Sequence, residues 1–379
     1  MNKLIIVALI LFAAGCKEKY DSPAPPVVFG YLVIEGVVND GVGLTNIRLS
    51  RTTGLNNSAV LKEAGANVKI EGSNNISLPL VESSPGSYTI DNLHLDPAIK
   101  YRLSVKTNSE EYLSDFVSIR PNPPIDSVNW KRENDGVHIF INTHNPQNTS
   151  LYYQWEYDET WEFHSAYDAI LKYIKDPGTN AAIGVTNREV TDPQIHKCWQ
   201  FNSSSTILLG SSAKLSQDII HLPLITIPQG SWKLSVLYSV FVKQYAWSKE
   251  GYEFLERMKK NTEAVGSVFD PQPSELNGNI HCVTDPSQPV IGFFNICTIR
   301  DQRIWIYNSE LPGWNPNPGC QFTLIENNKD SIEAKGVGKL PVIPETYSPF
   351  GKIATFQASR TECVDCTLKG TNIKPIYWP

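Results

Sequence analysis

The chain has 379 residues, of which 41% are hydrophobic, and a formal net charge of −6. That length allows two or three domains and a sizeable core. The mild acidity, with no cluster of Lys and Arg, excludes nucleic acid as a partner, because phosphate contacts need concentrated positive charge.

Residues 1–15 read as a signal peptide. Lys3 opens it, and residues 4–14 form an unbroken apolar run too short to span a bilayer. Small residues then lead to Cys16 in "FAAGC". This is a lipobox pattern: small side chains let a peptidase reach the backbone, and the Cys16 thiol takes the diacylglycerol. Several acyl chains on one terminus anchor better than one. Cys16 is therefore the expected lipidation site and the contact with the membrane. Residues 16–27, "CKEKYDSPAPPV", are charged and then proline-rich, which predicts a solvated tether.

Residues 28–121 carry an all-β pattern. "YLVIEGVV", "NIRLSR", "ANVKIEG", "SLPLVES", "SYTIDNL", "YRLSVKT" and "EYLSDFVSI" follow one another, separated by turn residues. Seven short strands at this spacing predict an immunoglobulin-like β-sandwich. "PGSYTIDNLHLDPAIKYRLSV" resembles the later strands of carboxypeptidase-regulatory-like domains, which serve as spacers or adhesive modules. The proline-rich "RPNPPIDSV" at 120–128 marks the expected domain boundary.

Residues 122–379 predict a second, larger β-sandwich-type domain with one or two inserted helices. "LYYQWEYDETWEF" at 151–163 alternates as a strand, with Tyr153, Trp155 and Tyr157 on one face. Tyr167, Ile170, Leu171 and Ile174 recur at helical spacing, predicting a helix near 164–175 that stops before Pro177-Gly178. "SWKLSVLYSVFVKQYAW" contains one or two strands. Ser248 then reads as an N-cap for a helix near 248–261, with Tyr252, Leu255 and Met258 as its apolar stripe. Short strands return from Gly278 onward.

No G-x-S-x-G elbow, H-E-x-x-H or P-loop occurs. No catalytic residue, metal or cofactor is expected. Six cysteines remain beyond Cys16: Cys198, Cys282, Cys297, Cys320, Cys363 and Cys366. In an exported chain an even count predicts up to three disulfides, among fifteen possible pairings. A cross-strand bridge between Cys282 and Cys297 fits their neighbouring apolar stretches. The spacing of "CVDC" is open to two pairings: the motif closing on itself, or one of its cysteines reaching Cys198 or Cys320. His196 and Cys198 with Cys363 and Cys366 would match a zinc donor set, but an oxidising compartment favours disulfides. A redox dithiol needs a helix N-terminus, which this turn-like stretch lacks. Tyr153, Trp155, Tyr157 and Trp161 are candidate contacts for a ligand or partner, as a sugar-stacking platform, with core packing as the competing expectation.

Taken together, the lipobox, "LVIEGVVNDG", "PPIDSV", "YYQWEYDETWEF", "KCWQ", "SKEGYEFLERM", "PQPSELNGNI" and the ending "ECVDCTLKGTNIKPIYW" resemble the Bacteroidota lipoproteins grouped as domain of unknown function 4249. Lys17, Glu18, Lys19 and Asp21 look like the surface-display signal of such proteins. The resemblance implies a lipid-anchored outer-membrane protein, exposed on the cell surface. It implies a non-enzymatic accessory of a TonB-dependent receptor or another outer-membrane β-barrel, in transport or assembly. Two other expectations stand beside it. A glycan- or peptide-binding nutrient-capture module requires Trp155 and Trp161 to be exposed. A hydrolase requires two acids, or a histidine with a nucleophile, close together in a cleft.

Overall fold

The computed structural model describes residues 30–54, 59–263, 276–316 and 318–379. The leader, Cys16 and the 16–27 tether lie outside the described residues. The described chain is mainly β, in several sheets. No helix among the described residues is long and apolar enough to cross a membrane.

The first sandwich packs two sheets. One runs Ile291–Gly292, Leu32–Glu35, Gly41–Arg51, Ser87–Leu93, Val81–Ser84; the other runs Ile280–Cys282, Glu111–Ser114, Tyr101–Lys106, Asn67–Gly72, Ser77–Pro79. The strands form because apolar residues alternate: Ile47 and Leu49 point inward while Asn46 and Arg48 face out. Inward residues of both sheets, including Leu32, Tyr88, Val68 and Leu103, meet in one core.

This sandwich does not close at residue 121. Ile280, Phe294 and Ile296 belong to its core, although the chain has by then passed through the second sandwich. Ile291–Gly292 pairs in parallel with Leu32–Glu35, and Ile296–Cys297 pairs in parallel with Val38–Asn39. The approach needs a glycine. Gly292 has φ +156°, and a Cβ there would lie 2.5 Å from the Ile34 carbonyl oxygen. A division into 28–121 and 122–379 therefore separates residues that share a core. Parallel pairing of strands some 250 positions apart leaves no local signature, which is why the boundary looked complete in sequence.

The second sandwich packs the sheet Ile125–Arg132, Gly136–Asn145, Asp218–Pro228 against Lys197–Ser203, Tyr152–His164, Leu237–Ala246, Arg300–Tyr307. Its core joins Val137, Ile139 and Ile227 of the first sheet to Trp155, Tyr238 and Val240 of the second. The proline-rich joint is built into this core. The Asn122 amide donates to the carbonyls of Gln244 and Thr298 (2.8 and 2.9 Å), and Gln244 donates back to Asn122 and to the Pro123 carbonyl. Both side chains are buried.

A third unit holds Thr323–Glu326, Ile353–Arg360 and Lys339–Tyr347, with the helix Lys329–Lys335 beside them. Against it packs a hairpin, Leu171–Lys175 with Ala182–Asn187. The helix expected near 164–175 is thus a strand over Leu171–Lys175. Leu171 and Tyr173, two apart, pack with Ile325 and Phe356. Asp176 turns the chain by accepting from the backbone N–H groups of Gly178 and Thr179. The helical spacing comprises only four apolar residues over positions 167–174, too few to outweigh that turn. A helix does run over Lys249–Glu263.

Candidate functional site

The strand Tyr152–His164 is the spine of the second sandwich, pairing along its length with Leu237–Ala246. Its odd-numbered residues turn to the core. Tyr153 and Trp155 are fully buried, Trp161 is buried, and Tyr157 is half-buried against the same cluster. The polar edges are satisfied internally: the Trp155 indole donates to Gln244 Oε1 (2.9 Å), and the Tyr153 hydroxyl donates to Asp218 (2.7 Å). Burial, and then the Asp218 carboxylate, push the Tyr153 pKa up. The aromatic row is core, and a sugar-stacking platform built on Trp155 and Trp161 is excluded. The alternation was legible in sequence; which face meets the partner sheet was not.

Two carboxylates on this strand are buried. Glu159 faces the core, where Lys233 Nζ reaches both its oxygens (2.7 and 2.6 Å), with Tyr238 at 2.7 Å and Asn202 at 2.8 Å. Burial first, and then the charge of Glu159, raise the Tyr238 pKa well above its ordinary value. Glu162 faces outward beneath the C-terminal segment, bonded to Lys197, His164 and the Trp378 indole. Burial alone would raise its pKa; these hydrogen bonds and the Lys197 charge outweigh burial and lower it. Both acids are held by several donors, and neither lines the two cavities described below.

The cysteines resolve into two disulfides, Cys198–Cys366 and Cys320–Cys363, each with Cα atoms just under 6 Å apart. Each cysteine of "CVDC" therefore leaves the motif for a distant strand or loop. Zinc and dithiol chemistry at His196, Cys198, Cys363 and Cys366 are excluded, since the three sulfurs are bonded. The expected Cys282–Cys297 bridge is absent. Cys282 lies opposite Tyr112 in one sheet and Cys297 opposite Asn39 in a separate pairing, and both are buried free thiols. Burial pushes the Cys297 thiol up to about 12. Elsewhere Glu133, Asp135 and His138 come within 4.8 Å of one another on an exposed turn, but Lys131 and Thr226 already engage this group.

One histidine does meet a hydroxyl. Ser165 Oγ lies 2.9 Å from His196 Nδ1, and Ser165 lines a cavity of about 470 Å³ with His164 and Trp314. The Ser165 proton is given to the Tyr167 carbonyl (2.9 Å), two residues on, and its backbone N–H is given to the His196 carbonyl. His196 has its pKa lowered, chiefly by burial. With its proton on the Tyr167 carbonyl, Ser165 Oγ accepts from His196 in the tautomer that carries the proton on Nδ1.

The larger concavity is a cleft of about 680 Å³ between the two sandwiches, in the range of ligand pockets. One wall is the outward face of Leu32–Glu35 and Gly41–Arg51, presenting Glu35, Leu44 and Arg48. The other is formed by Glu156, Lys243 and Tyr245. The floor is apolar: Trp247, Phe254, Leu255, Met258 and Phe293, where the Lys249–Glu263 helix packs. Gly251 lets the helix sit that close, since a Cβ would meet the Trp247 ring at 2.7 Å. The Trp247 indole N–H is buried with no partner among the described residues. The rim charges are loosely paired, Arg48 to Glu35 at 3.8 Å and Lys243 to Asp158, outside the cleft lining, at 3.4 Å, with Tyr245 donating to Glu156 at 2.8 Å. An apolar floor under a rim of both signs suits an amphipathic segment better than a small polar substrate. No sequence signal marked this cleft, because its walls come from residues that are neighbours only after the late strands return to the first sandwich.

No curated protein matches the chain. Residues 18–303 match the model of a family described as a domain of unknown function (DUF4249), which spans most of the chain and both walls of the cleft; the cysteines and aromatics of the C-terminal segment lie beyond the match. The chain belongs to the family of domain of unknown function 4249.

Proposed function

We propose that the protein is a surface-exposed, lipid-anchored outer-membrane lipoprotein of a Bacteroidota-type cell. On this reading it is a non-enzymatic accessory that binds a TonB-dependent receptor or another outer-membrane β-barrel in transport or assembly. The observation that carries it is the "FAAGC" leader ending at Cys16, which supplies the acyl anchor, with the charged "KEKYD" behind it. The cleft between the sandwiches supports the same reading. Leu44 is 57% exposed on its wall, above a floor of aromatic and aliphatic side chains of the kind that form interface centres. An apolar loop of the barrel partner is its occupant.

The test is a mild-detergent pull-down from native membranes with mass spectrometry. A β-barrel protein should be recovered with the wild type. Leu44→Asp, which changes an exposed side chain, should lower that recovery about tenfold, in line with loss of an interface anchor. Cys16→Ala should release the protein from the membrane fraction. Recovery of no barrel protein with the wild type overturns the reading.

A further inference from the structure

The C-terminal segment is fixed at both ends and at its middle. Cys366 is bonded to Cys198. Thr371 exchanges two backbone hydrogen bonds with Trp199 (2.8 and 2.9 Å). Trp378 is buried, with its indole on Glu162 (2.9 Å) and its ring edge-on to Trp305 at 4.9 Å. The Tyr377 ring lies 4.2 Å from Arg303, and its hydroxyl is 2.8 Å from that of Thr160. Between these anchors the largest apolar side chains point away from the protein. Leu368 is 59% exposed, Ile373 75%, and Ile376 fully exposed. Backbone hydrogen bonds at Thr371 and from Trp378 to the Pro375 carbonyl hold the segment on either side of Ile373 and next to Ile376. Lys369 and Lys374 alternate with these aliphatics, are exposed, and make no ion pair among the described residues. Asp365 is engaged by Thr367, Glu362 by Arg360 and Glu162 by Lys197. On a chain of net charge −6, a cationic and aliphatic corner is against the average.

We propose that residues 368–377 form a membrane-docking surface that seats on the phosphate headgroups of an anionic bilayer. Aliphatic residues flanked by lysines match the interface between headgroups and acyl chains, where the ammonium groups meet phosphate and the apolar side chains leave water. The inference goes beyond the receptor-binding reading and shares only its anchoring. The stretch from Cys16 to Gly30 can reach at most about 50 Å, which keeps the folded body within about its own width of the bilayer. Docking of the C-terminal surface would then fix which face of the protein is turned to solvent.

The experiment uses the mature chain with Cys16→Ser, so that no acyl chain contributes, and vesicles of phosphatidylcholine with or without an equal part of phosphatidylglycerol. The wild type should co-sediment with the anionic vesicles about tenfold more strongly than with the neutral ones, and lose that preference at high salt. The pair Ile373→Asp and Ile376→Asp should abolish binding. The pair Lys369→Glu and Lys374→Glu should remove the preference for anionic lipid. Because all four side chains are exposed, the melting temperature should not change. Wild type left in the supernatant with anionic vesicles, or variants bound as well as wild type, would overturn the proposal. So would a concentration-dependent dimer lost in the Ile373 and Ile376 variant, which would make a second copy the occupant. No barrel protein is present in this assay, so its failure leaves the receptor reading standing.

Discussion

Glu159 is the least expected residue in the structure, a carboxylate 1% exposed among Trp155, Trp161 and Tyr238. It is tolerated because four hydrogen bonds from Lys233, Tyr238 and Asn202 replace its hydration. Lys233→Met should therefore cost about 3–5 kcal/mol, the penalty for leaving one member of a buried pair. Adding Glu159→Gln should recover most of it; urea unfolding of the single and double variants measures both, and a double variant as weak as the single would refute the account. Glu162 permits a pH test. Its pKa is lowered in the folded state, so the stability it contributes is fully present above the ordinary carboxylate value of about 4.3 and is lost as pH falls through its folded pKa. The stability difference between wild type and Glu162→Gln should be constant from neutral pH down to about 5 and shrink below about 4. A difference that grew on acidification would contradict the assigned hydrogen bonds. An acidic residue on a strand ordinarily faces water. Glu159 in fact shares the face of Tyr153 and Trp155, and only Lys233, 74 positions on, makes that burial possible.

At the scale of elements, the two disulfides carry the C-terminal unit. Cys320–Cys363 closes 43 residues and Cys198–Cys366 closes 168. Chain entropy alone assigns them about 4 and about 5 kcal/mol. The pair Cys198→Ser and Cys366→Ser should lower unfolding free energy by about 2–5 kcal/mol and free the segment that carries Trp378, seen as loss of near-ultraviolet dichroism from the Trp305–Trp378 pair. The remaining thiols give a second check. In the mature Cys16→Ser protein, a thiol reagent should label nothing in the native state and Cys282 and Cys297 after denaturation without reductant. Labelling of Cys320 or Cys363 would refute the pairing. The even cysteine count predicted disulfides, but the choice between Cys198 and Cys320 as partners of "CVDC" depended on how the strands Lys197–Ser203 and Ile353–Arg360 are placed. The missed hairpin at Leu171–Lys175 has the same origin. Four apolar residues over positions 167–174 are compatible with either state, and the turn at Asp176 with packing on Phe356 decided it.

At the scale of the whole molecule, the first sandwich is completed by a segment that follows the second. A fragment of residues 28–121 lacks Ile280, Phe294 and Ile296 and leaves the Glu111–Ser114 strand as an open edge. It should show no cooperative melting and poorly dispersed amide resonances; a fragment that folds alone would overturn this account of the core. The interleaving also holds the walls of the inter-sandwich cleft in register, since Phe293 of its floor belongs to the returning segment. The chain by itself determined the class of the fold, through period-two alternation, and it carries an apolar leader ending in a cysteine, the pattern on which the proposed compartment rests. Both are local patterns, written in consecutive residues. Tertiary structure alone decided the fate of the aromatic row, the partners of the cysteines, the burial of Glu159 and the existence of the cleft. Each of these depends on contacts between residues tens to hundreds of positions apart, where parallel pairing and sheet-on-sheet packing leave no periodic trace in the chain.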